Sequence, residues 1–278
     1  MISLADLAVV EDIIRSVNEQ AVLPRFRSLS DSDIAMKGPM DPVTVADREA
    51  EELLRDRLTA FLPGSVVVGE EAVSEDPLVL RALTGDAPVW VIDPIDGTRN
   101  FIAGSGRFST LVALSLGGVL QASWSYAPVL HRIGTALAGE GAWVDGVPAR
   151  VASPPEPPAL PALPLTTSHP VWWPRGYGRG FDALNAAGLD VRYFDASGIE
   201  YLDLAIGKRS AMVLTWEHCW DHAAGLLLVA EAGGHVAALD GTPVRLHGGN
   251  ALPFVAASDQ ATNDLVRRVI AGSAARAV

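Results

Sequence analysis

The chain lacks the features that would place it outside a reducing, aqueous compartment. Its only cysteine is Cys219, so no intramolecular disulfide can form, which is typical of cytoplasmic proteins. It has no run of about 18 apolar residues that could cross a membrane. Acidic residues at Asp6, Glu11 and Asp12 argue against a signal peptide. We therefore expect a cytoplasmic protein without a membrane partner.

Basic residues are also scarce. Lysine and arginine together number 21 against 33 acidic residues, which gives a formal net charge of −12. A nucleic-acid surface needs a basic stripe, so we expect no nucleic-acid partner. A phosphorylated ligand is still compatible with this charge, because bound divalent cations reverse the local sign.

Residues 89–98 carry the most informative pattern in the sequence. An apolar, strand-like run leads to Asp93, and Asp96 follows just before Gly97 and Thr98. The proline after Asp93 lacks an N–H, so we expect the strand to end there. Two carboxylates on a rigid turn, followed by small residues with N–H groups, are typical of a site for hard cations and a phosphate. A plain surface turn is the alternative, since Asp, Pro and Gly all form turns.

Local patterns elsewhere predict both helices and strands. Apolar residues at helical spacing predict one helix that starts at Leu4, capped by Ser3, and another over residues 47–61. A strand is predicted over residues 110–116. The glycine-rich residues 176–180 suggest a nucleotide-binding loop but lack a following helix, so we interpret them as a plain loop.

Further acidic motifs accompany the central one. They are Asp41 to Asp47, Gly69-Glu70-Glu71, and Trp220-Asp221 before an Ala/Gly-rich segment that ends in Glu231-Ala232-Gly233-Gly234. Together with Asp93 to Thr98, they resemble the inositol monophosphatase family of magnesium-dependent, lithium-sensitive phosphatases in order and spacing. The resemblance covers most of the chain.

This resemblance implies an α/β (α+β) fold, a layered α-β-α-β-α sandwich of the inositol monophosphatase and fructose bisphosphatase type. We place an N-terminal α+β subdomain with most of the metal ligands at residues 1–150. A C-terminal α/β subdomain with Asp221 and the substrate-side residues follows at 151–278, and the two are expected to form one catalytic unit. A proline-rich stretch, residues 153–164, lies at the boundary and is typical of a linker or surface loop.

The resemblance also implies ligands for Mg²⁺, with Mn²⁺ as a possible substitute. One metal is expected on Glu70, Asp93 and the Ile95 carbonyl. A second is expected on Asp96 and Asp221, with Asp93 bridging the two. Magnesium prefers such oxygen ligands, and paired metals stabilise charge on both the attacking and the leaving oxygen.

Catalytic and phosphate-binding roles follow from the same resemblance. The Thr98 hydroxyl, held by Asp47, and Glu70 are expected to orient and deprotonate the attacking water. Backbone N–H groups of Gly97 and Thr98 are expected to bind phosphate at a helix start. Capping of the helix at residues 47–61 is the alternative role for Asp47.

The sequence constrains the residues that contact the substrate less than it constrains the metal ligands. We expect substrate contacts from Asp96, Asp195, Ser197, Glu200 and Asp221. Family members that act on inositol phosphate carry a glutamate seven residues before the Trp-Asp aspartate. This chain has Leu214 there, which predicts that inositol 1-phosphate is a poor substrate. A small phosphorylated polyol or amino alcohol is favoured; the alternatives are a histidinol-phosphate phosphatase, a 3′,5′-bisphosphate nucleotidase and a non-catalytic regulatory role.

A haloacid dehalogenase-type phosphatase is a rival interpretation of the central motif. In that class one residue separates the two acids, whereas two residues separate Asp93 from Asp96 here, so we favour the first interpretation. We also expect a homodimer, because members of the family usually pair. The adjacent Trp172 and Trp173 lie in a loop-like stretch suited to an interface.

Overall fold

The computed structural model describes residues 2–153, 163–170, 173, 178–194 and 196–274. The helices are α1 (Leu4–Val17), α2 (Val45–Phe61), α3 (Glu70–Glu75), α4 (Thr98–Ile102), α5 (Gly178–Ala186), α6 (Ser197–Ala205), α7 (Cys219–Glu231) and α8 (Gln260–Ala274). The strands are β1 (Ile34–Gly38), β2 (Asp41–Thr44), β3 (Val66–Gly69), β4 (Pro88–Asp96), β5 (Ser109–Leu116), β6 (Val119–Ala127), β7 (Arg132–Leu137), β8 (Gly141–Val144), β9 (Val147–Pro148), β10 (Pro164–Ser168), β11 (Asp190–Phe194), β12 (Ala211–Leu214), β13 (His235–Ala238) and β14 (Phe254–Ala257).

Helices α1 and α2 form an outer layer over a sheet with the strand order β3-β4-β5-β6-β7-β8-β9. Ser3 caps α1 as predicted, in a capping box with Asp6. Helix α2 begins two residues before the predicted position, because Thr44 is its N-cap. The apolar faces of both helices pack in one core with Trp90 and Trp124 of the sheet.

Strand β4 continues through the proline that was expected to end it. Its parallel pairing with β3 stops at Ile92, but its antiparallel pairing with β5 continues to Asp96. The register shifts between Asp93 and Asp96. A bulge of this kind accommodates the missing N–H of Pro94, and so the strand carries both acids of the central motif.

Helices α6 and α7 form the middle layer, and beyond them lies a second sheet with the order β11-β10-β12-β14-β13. Helices α5 and α8 pack on this sheet in a core of their own and complete the predicted α-β-α-β-α arrangement. Gly225 of α7 allows the two middle helices to approach closely. A Cβ at that position would lie 2.1 Å from the ring of Tyr201 in α6.

Several predictions concern the chain from the end of the first sheet to α5. The first sheet ends at Pro148 and the second begins at Pro164; the proposed division after residue 150 stays a prediction. Residues 178–180 begin α5, so the last three residues of the glycine-rich segment are helical, contrary to the loop interpretation, while residues 176–177 lie outside the described residues. Trp172 lies outside the described residues, and Trp173 stacks on Phe181 with 3.7 Å between ring centroids.

Within the described ranges, none of the helices is both long and apolar enough to pass through a membrane.

Candidate active site

The two acids of the central motif lie buried at the end of β4. Asp93 is 1% exposed and Asp96 is 6% exposed. The Asp93 carboxylate accepts a hydrogen bond from the Ile95 N–H at 3.0 Å, and the Ile95 carbonyl accepts one from the Thr98 hydroxyl at 3.0 Å. Gly97 turns the chain with φ at 91°, in the left-handed region that favours glycine. The motif is therefore a hydrogen-bonded turn rather than a solvated one.

Asp96 connects the two halves of the protein. Its Oδ1 accepts a hydrogen bond from the Ser197 N–H at 3.0 Å. Its Oδ2 accepts from the Gly198 N–H at 2.8 Å and from the Ser109 hydroxyl at 2.7 Å. Ser197 and Gly198 begin α6, so a carboxylate from one half satisfies helix-terminal N–H groups of the other. Burial and the charge of Asp221 outweigh these bonds and raise the pKa of Asp96 to about 6.

Glu70 is the first residue of α3, directly after β3. A side chain of α2 caps this helix, since the Glu51 carboxylate accepts from the N–H groups of Glu71 at 2.8 Å and Ala72 at 2.9 Å. Gly69 leaves room for this contact, because a Cβ there would lie 2.4 Å from Cδ of Glu51. Helix α2 thereby fixes the start of the helix that carries Glu70.

The positively charged ammonium group of Lys37, in β1, lies among the acidic residues. Its ammonium lies 2.5 Å from the Glu70 carboxylate and 2.9 Å from that of Glu71. Burial by itself lowers the pKa of Lys37, but the two carboxylates outweigh it and hold that pKa above its usual value. Burial raises the pKa of Glu70 to about 8 despite Lys37, with a contribution from Asp221. One ammonium therefore does not balance the acids around it.

Asp47 takes part in two sets of contacts. Its Oδ2 accepts hydrogen bonds from the Thr44 N–H at 2.8 Å and the Thr44 hydroxyl at 2.5 Å, which closes a capping box at the start of α2. Its Oδ1 lies 3.3 Å from the Thr98 hydroxyl. Burial raises the pKa of Asp47 to about 6. Helix capping thus uses one oxygen, and the other faces the central motif.

Asp221 lies in the first turn of α7, where the helix dipole favours an acid. Its Oδ2 accepts a hydrogen bond from the indole N–H of Trp216 at 2.5 Å. Its backbone carbonyl accepts one from the Ser197 hydroxyl at 2.8 Å. Burial alone would raise the pKa of Asp221, but hydrogen bonding with His218 and Trp216 and the nearby imidazoles hold it below its usual value.

Asp93, Asp96 and Asp221 bring carboxylate oxygens within 4.8 Å of one another. Burial, followed by the charges of Glu70, Asp221 and Asp96, raises the pKa of Asp93 well above its usual range. Buried like charges at this distance call for a compensating cation. Oxygen donors suit a hard divalent cation better than they suit copper or zinc. The residues present therefore fit a metal ion.

A cavity of about 510 Å³ opens beside these acids. The predicted site residues in its lining are Glu70, Asp93, Ile95, Asp96, Gly97, Thr98, Ser197 and Asp221. We call Glu70, Asp93, Asp96 and Asp221 the carboxylate cluster. The lining also contains Phe194, Trp216 and Trp220, which we call the aromatic wall. A cavity of this size with polar and apolar sides suits a small organic ligand.

Of the remaining predicted substrate residues, only Glu200 is among the described residues. Glu200 is 2% exposed, is not in the cavity lining, and pairs with Arg107 and Arg209 at 3.1 Å each. Asp195 lies outside the described residues. Leu214 is fully buried in β12 and is also not in the lining.

Sequence reasoning missed three residues at this site. Glu51 carried a signal, because it follows Asp47 by four residues, which is one turn along the same face of a helix. Lys37 and Trp216 carried none. Pairing of the β1–β2 hairpin and the orientation of the indole depend on tertiary contacts that no local pattern encodes.

A buried all-oxygen cluster beside an open cavity fits a divalent metal ion, as in the class of metal-dependent hydrolases. Comparison with known proteins gives the family. The model of the inositol monophosphatase family matches residues 7–273, and the chain belongs to this family. It is therefore a phosphoric monoester hydrolase.

Individual relatives agree with this assignment. The chain is 34% identical to the inositol-1-monophosphatase of Mycobacterium leprae over 72% of this chain and 69% of that protein. It is 30% identical to the Nus factor SuhB of Pasteurella multocida over 88% of each. Among solved structures, an IMPase of Thermotoga maritima superposes with a TM-score of 0.80 at 26% identity, covering 98% of this chain and 99% of that chain.

Proposed function

We propose that the chain hydrolyses a small phosphomonoester with Mg²⁺ as its cofactor and Mn²⁺ as a possible substitute. The carboxylate cluster is the observation that carries this proposal. Its buried, mutually repelling acids favour a divalent cation, and its oxygen donors suit magnesium. Glu70, Asp93, Asp96, Asp221 and the Ile95 carbonyl are the residues that hold the metal. When bound, it supplies positive charge for the phosphate oxygens and lowers the pKa of water.

The chain's own residues have separate tasks in this reaction. The Thr98 hydroxyl, which lies between the Ile95 carbonyl and Asp47, orients the attacking water, and Glu70 accepts its proton. The N–H groups of Gly97 and Thr98 bind the phosphate. Ser197 orients Asp96 and Asp221 through its N–H and hydroxyl, and also contacts the substrate.

The proposal also includes the substrate, the cellular location and the oligomeric state. The relatives include proteins named inositol-1-monophosphatase, so inositol 1-phosphate is the reference substrate. Of the two classes expected from the sequence, we favour the phosphate of an amino alcohol over that of a polyol, since Leu214 offers no acceptor for ring hydroxyls. A cytoplasmic homodimer with lithium sensitivity completes the proposal.

Measurement of phosphate release tests the proposed function. The chain should release inorganic phosphate from small phosphomonoesters when Mg²⁺ is present, and EDTA should abolish release until Mg²⁺ is restored. Calorimetric titration of the metal-free protein with Mg²⁺ gives a readout that needs no substrate. Full activity in EDTA without measurable Mg²⁺ binding would refute the metal-dependent mechanism.

A further inference from the structure

The aromatic wall gathers rings from three elements at one cavity. Phe194 ends β11, Trp216 follows β12, and Trp220 lies in the first turn of α7. The ring centroids of Phe194 and Trp216 are 6.2 Å apart at an interplanar angle of 48°, within the contact range of aromatic pairs. Trp220 stacks on His218 at 4.8 Å and 23°. The cavity therefore has flat, apolar surfaces on one of its sides.

Trp216 is held by both its side chain and its backbone. The indole N–H donates to Asp221 at 2.5 Å, and the backbone carbonyl lies 3.2 Å from Nε2 of His222. Nδ1 of His222 lies 3.2 Å from the Tyr201 hydroxyl. An imidazole with its proton on Nε2 donates to the Trp216 carbonyl and accepts at Nδ1 from the tyrosine hydroxyl, which satisfies both contacts. The indole is thus fixed before a ligand arrives.

The same hydrogen bond places Trp216 beside the carboxylate cluster. Asp221 belongs to that cluster, so the indole borders the place where the phosphate binds under the proposed function. The next part of the substrate, the leaving alcohol, then meets the indole.

Two positions that could have served a polyol do not face the cavity. Glu200 is paired with Arg107 and Arg209 outside the lining. Leu214 is apolar and buried in β12. Among the described residues, the C-terminal half thus presents the aromatic wall, one imidazole, serine hydroxyls and Asp221 to the cavity. Such a lining favours a flat ring over a hydroxyl-covered, puckered one.

We propose that the leaving alcohol of the substrate carries a flat aromatic or heteroaromatic ring that lies against Trp216. This inference rests on the proposed function, because it names the substrate class of the same site. A flat ring gains stacking or edge contacts with the indole that a saturated ring does not gain. We expect a preference of about tenfold in kcat/KM, equivalent to about 1.4 kcal/mol.

Matched esters test the preference on the native chain with Mg²⁺. 2-Phenylethyl phosphate and 2-cyclohexylethyl phosphate share a primary leaving alcohol and differ in the flatness of the ring; myo-inositol 1-phosphate is the polyol reference. The phenyl ester should have a kcat/KM about tenfold above both others. If phosphate is released but the phenyl ester is equal or inferior to either, the inference is wrong. If no ester releases phosphate, the proposed function fails, and the inference fails with it.

Two substitutions separate the ring of Trp216 from its N–H. Trp216→Phe and Trp216→Leu both remove the hydrogen bond to Asp221, but only Trp216→Phe keeps an aromatic ring. The preference for the phenyl ester should persist in Trp216→Phe and disappear in Trp216→Leu. Trp143→Leu is the matched control, since Trp143 lies in β8 against the core of the first sheet and should leave the preference unchanged.

Equal preference in both Trp216 variants would contradict the role of Trp216. Circular dichroism and thermal unfolding show whether each variant folds. If either variant does not fold, the comparison of esters on the native chain still decides the inference.

Discussion

The two sides of the cavity differ in the number of titratable groups that burial brings together. In the carboxylate cluster, burial and the charges of neighbouring acids raise the pKa of Glu70 to about 8 and that of Asp96 to about 6. Beside the aromatic wall, burial lowers the pKa of His222 to about 4 and raises that of Cys219 to about 12, so both groups are neutral near pH 7. One side gathers acids that ionise together only beside a cation, and the other, the neutral side, buries single groups that stay uncharged.

This difference shows what each side is suited to bind. Concentrated acids that lack enough positive charge select a cation and, with it, a phosphate. Neutral groups behind aromatic rings select an uncharged organic part of the ligand. A phosphomonoester has both parts in one small molecule, which explains why a single cavity combines two such different linings.

The largest expected effect comes from removing one charge of the carboxylate cluster. Asp93→Asn keeps the size of the side chain but removes a metal-binding charge, so kcat/KM for phosphate release should fall on the order of 10³-fold. The metal-free variant should unfold at a higher temperature than the native chain, because the raised pKa of Asp93 means that its charge is unfavourable in the folded state.

Asp203→Asn is the control for this change. Asp203 lies in α6 and pairs with Arg132 at 2.8 Å, and it is not in the cavity lining. Activity should survive this substitution. Near-native activity of Asp93→Asn would contradict the role assigned to the carboxylate cluster.

A methyl group at position 69 should disturb the carboxylate-cluster side of the cavity without changing any charge. The added Cβ meets the Glu51 carboxylate, which is buried and already bonded to two backbone N–H groups. We expect Gly69→Ala to lower the free energy of unfolding by about 2–3 kcal/mol, as overpacking does, and to weaken Mg²⁺ binding through displacement of Glu70.

Gly272→Ala provides the comparison in urea unfolding and in calorimetric Mg²⁺ titration. Gly272 is exposed in α8, and no atom lies within 4 Å of an added Cβ. It should be neutral or stabilise the protein by up to about 1 kcal/mol, because alanine favours the helix. Equal effects of the two substitutions would show that Glu51 does not constrain Gly69.

The metal-free protein should lose stability as the pH rises. Glu70 has a usual pKa of 4.5 and a folded value of about 8, and Asp96 shifts from 3.8 to about 6. Between about pH 5 and pH 8 the folded state therefore binds more protons than the unfolded state, and the free energy of unfolding decreases with pH. We expect a decrease of several kcal/mol in urea unfolding with EDTA, since each unit by which a pKa is raised corresponds to about 1.4 kcal/mol. Mg²⁺ should reduce the pH dependence of the free energy of unfolding. A free energy of unfolding that rises with pH in EDTA would contradict the prediction.

The smallest effect is expected for Cys219, on the neutral side of the cavity. Cys219 is 3% exposed, and burial raises the pKa of its thiol to about 12, so little thiolate exists at pH 8. A thiol-specific reagent should leave activity unchanged in the folded protein and label one thiol after unfolding in urea. Rapid labelling under native conditions would show that this side is more open than the structure indicates.

The sequence predicted the acidic side of the site far better than the neutral side. The acids lie in short motifs at strand and helix ends, where local pattern determines geometry, and these motifs also indicated the family and the layered fold. The bulge at Pro94 shows the limit of such patterns. A missing N–H predicts the end of a strand, yet the neighbouring strand β5 sustains the pairing as far as Asp96.

The neutral side depends on contacts between distant segments. Glu200 is acidic and close in sequence to Ser197, so a role in substrate binding was a reasonable expectation. Its pairing with Arg107, 93 residues away, depends on how α6 packs against the first sheet. Trp216 likewise gains its role only through the hydrogen bond to Asp221 and the packing of His222. Neither arrangement leaves a periodic or motif signal.

The hydrogen bonds of Asp96 connect metal binding to the folding of the whole chain. The first half contributes Glu70, Asp93 and Asp96, but the fourth acid, Asp221, arrives with the second half, and Asp96 is in place only when α6 docks on it. A chain in which α6 and α7 are not packed against the first sheet thus lacks the complete set of proposed metal ligands. Metal binding should therefore stabilise the folded chain as a whole rather than one segment of it.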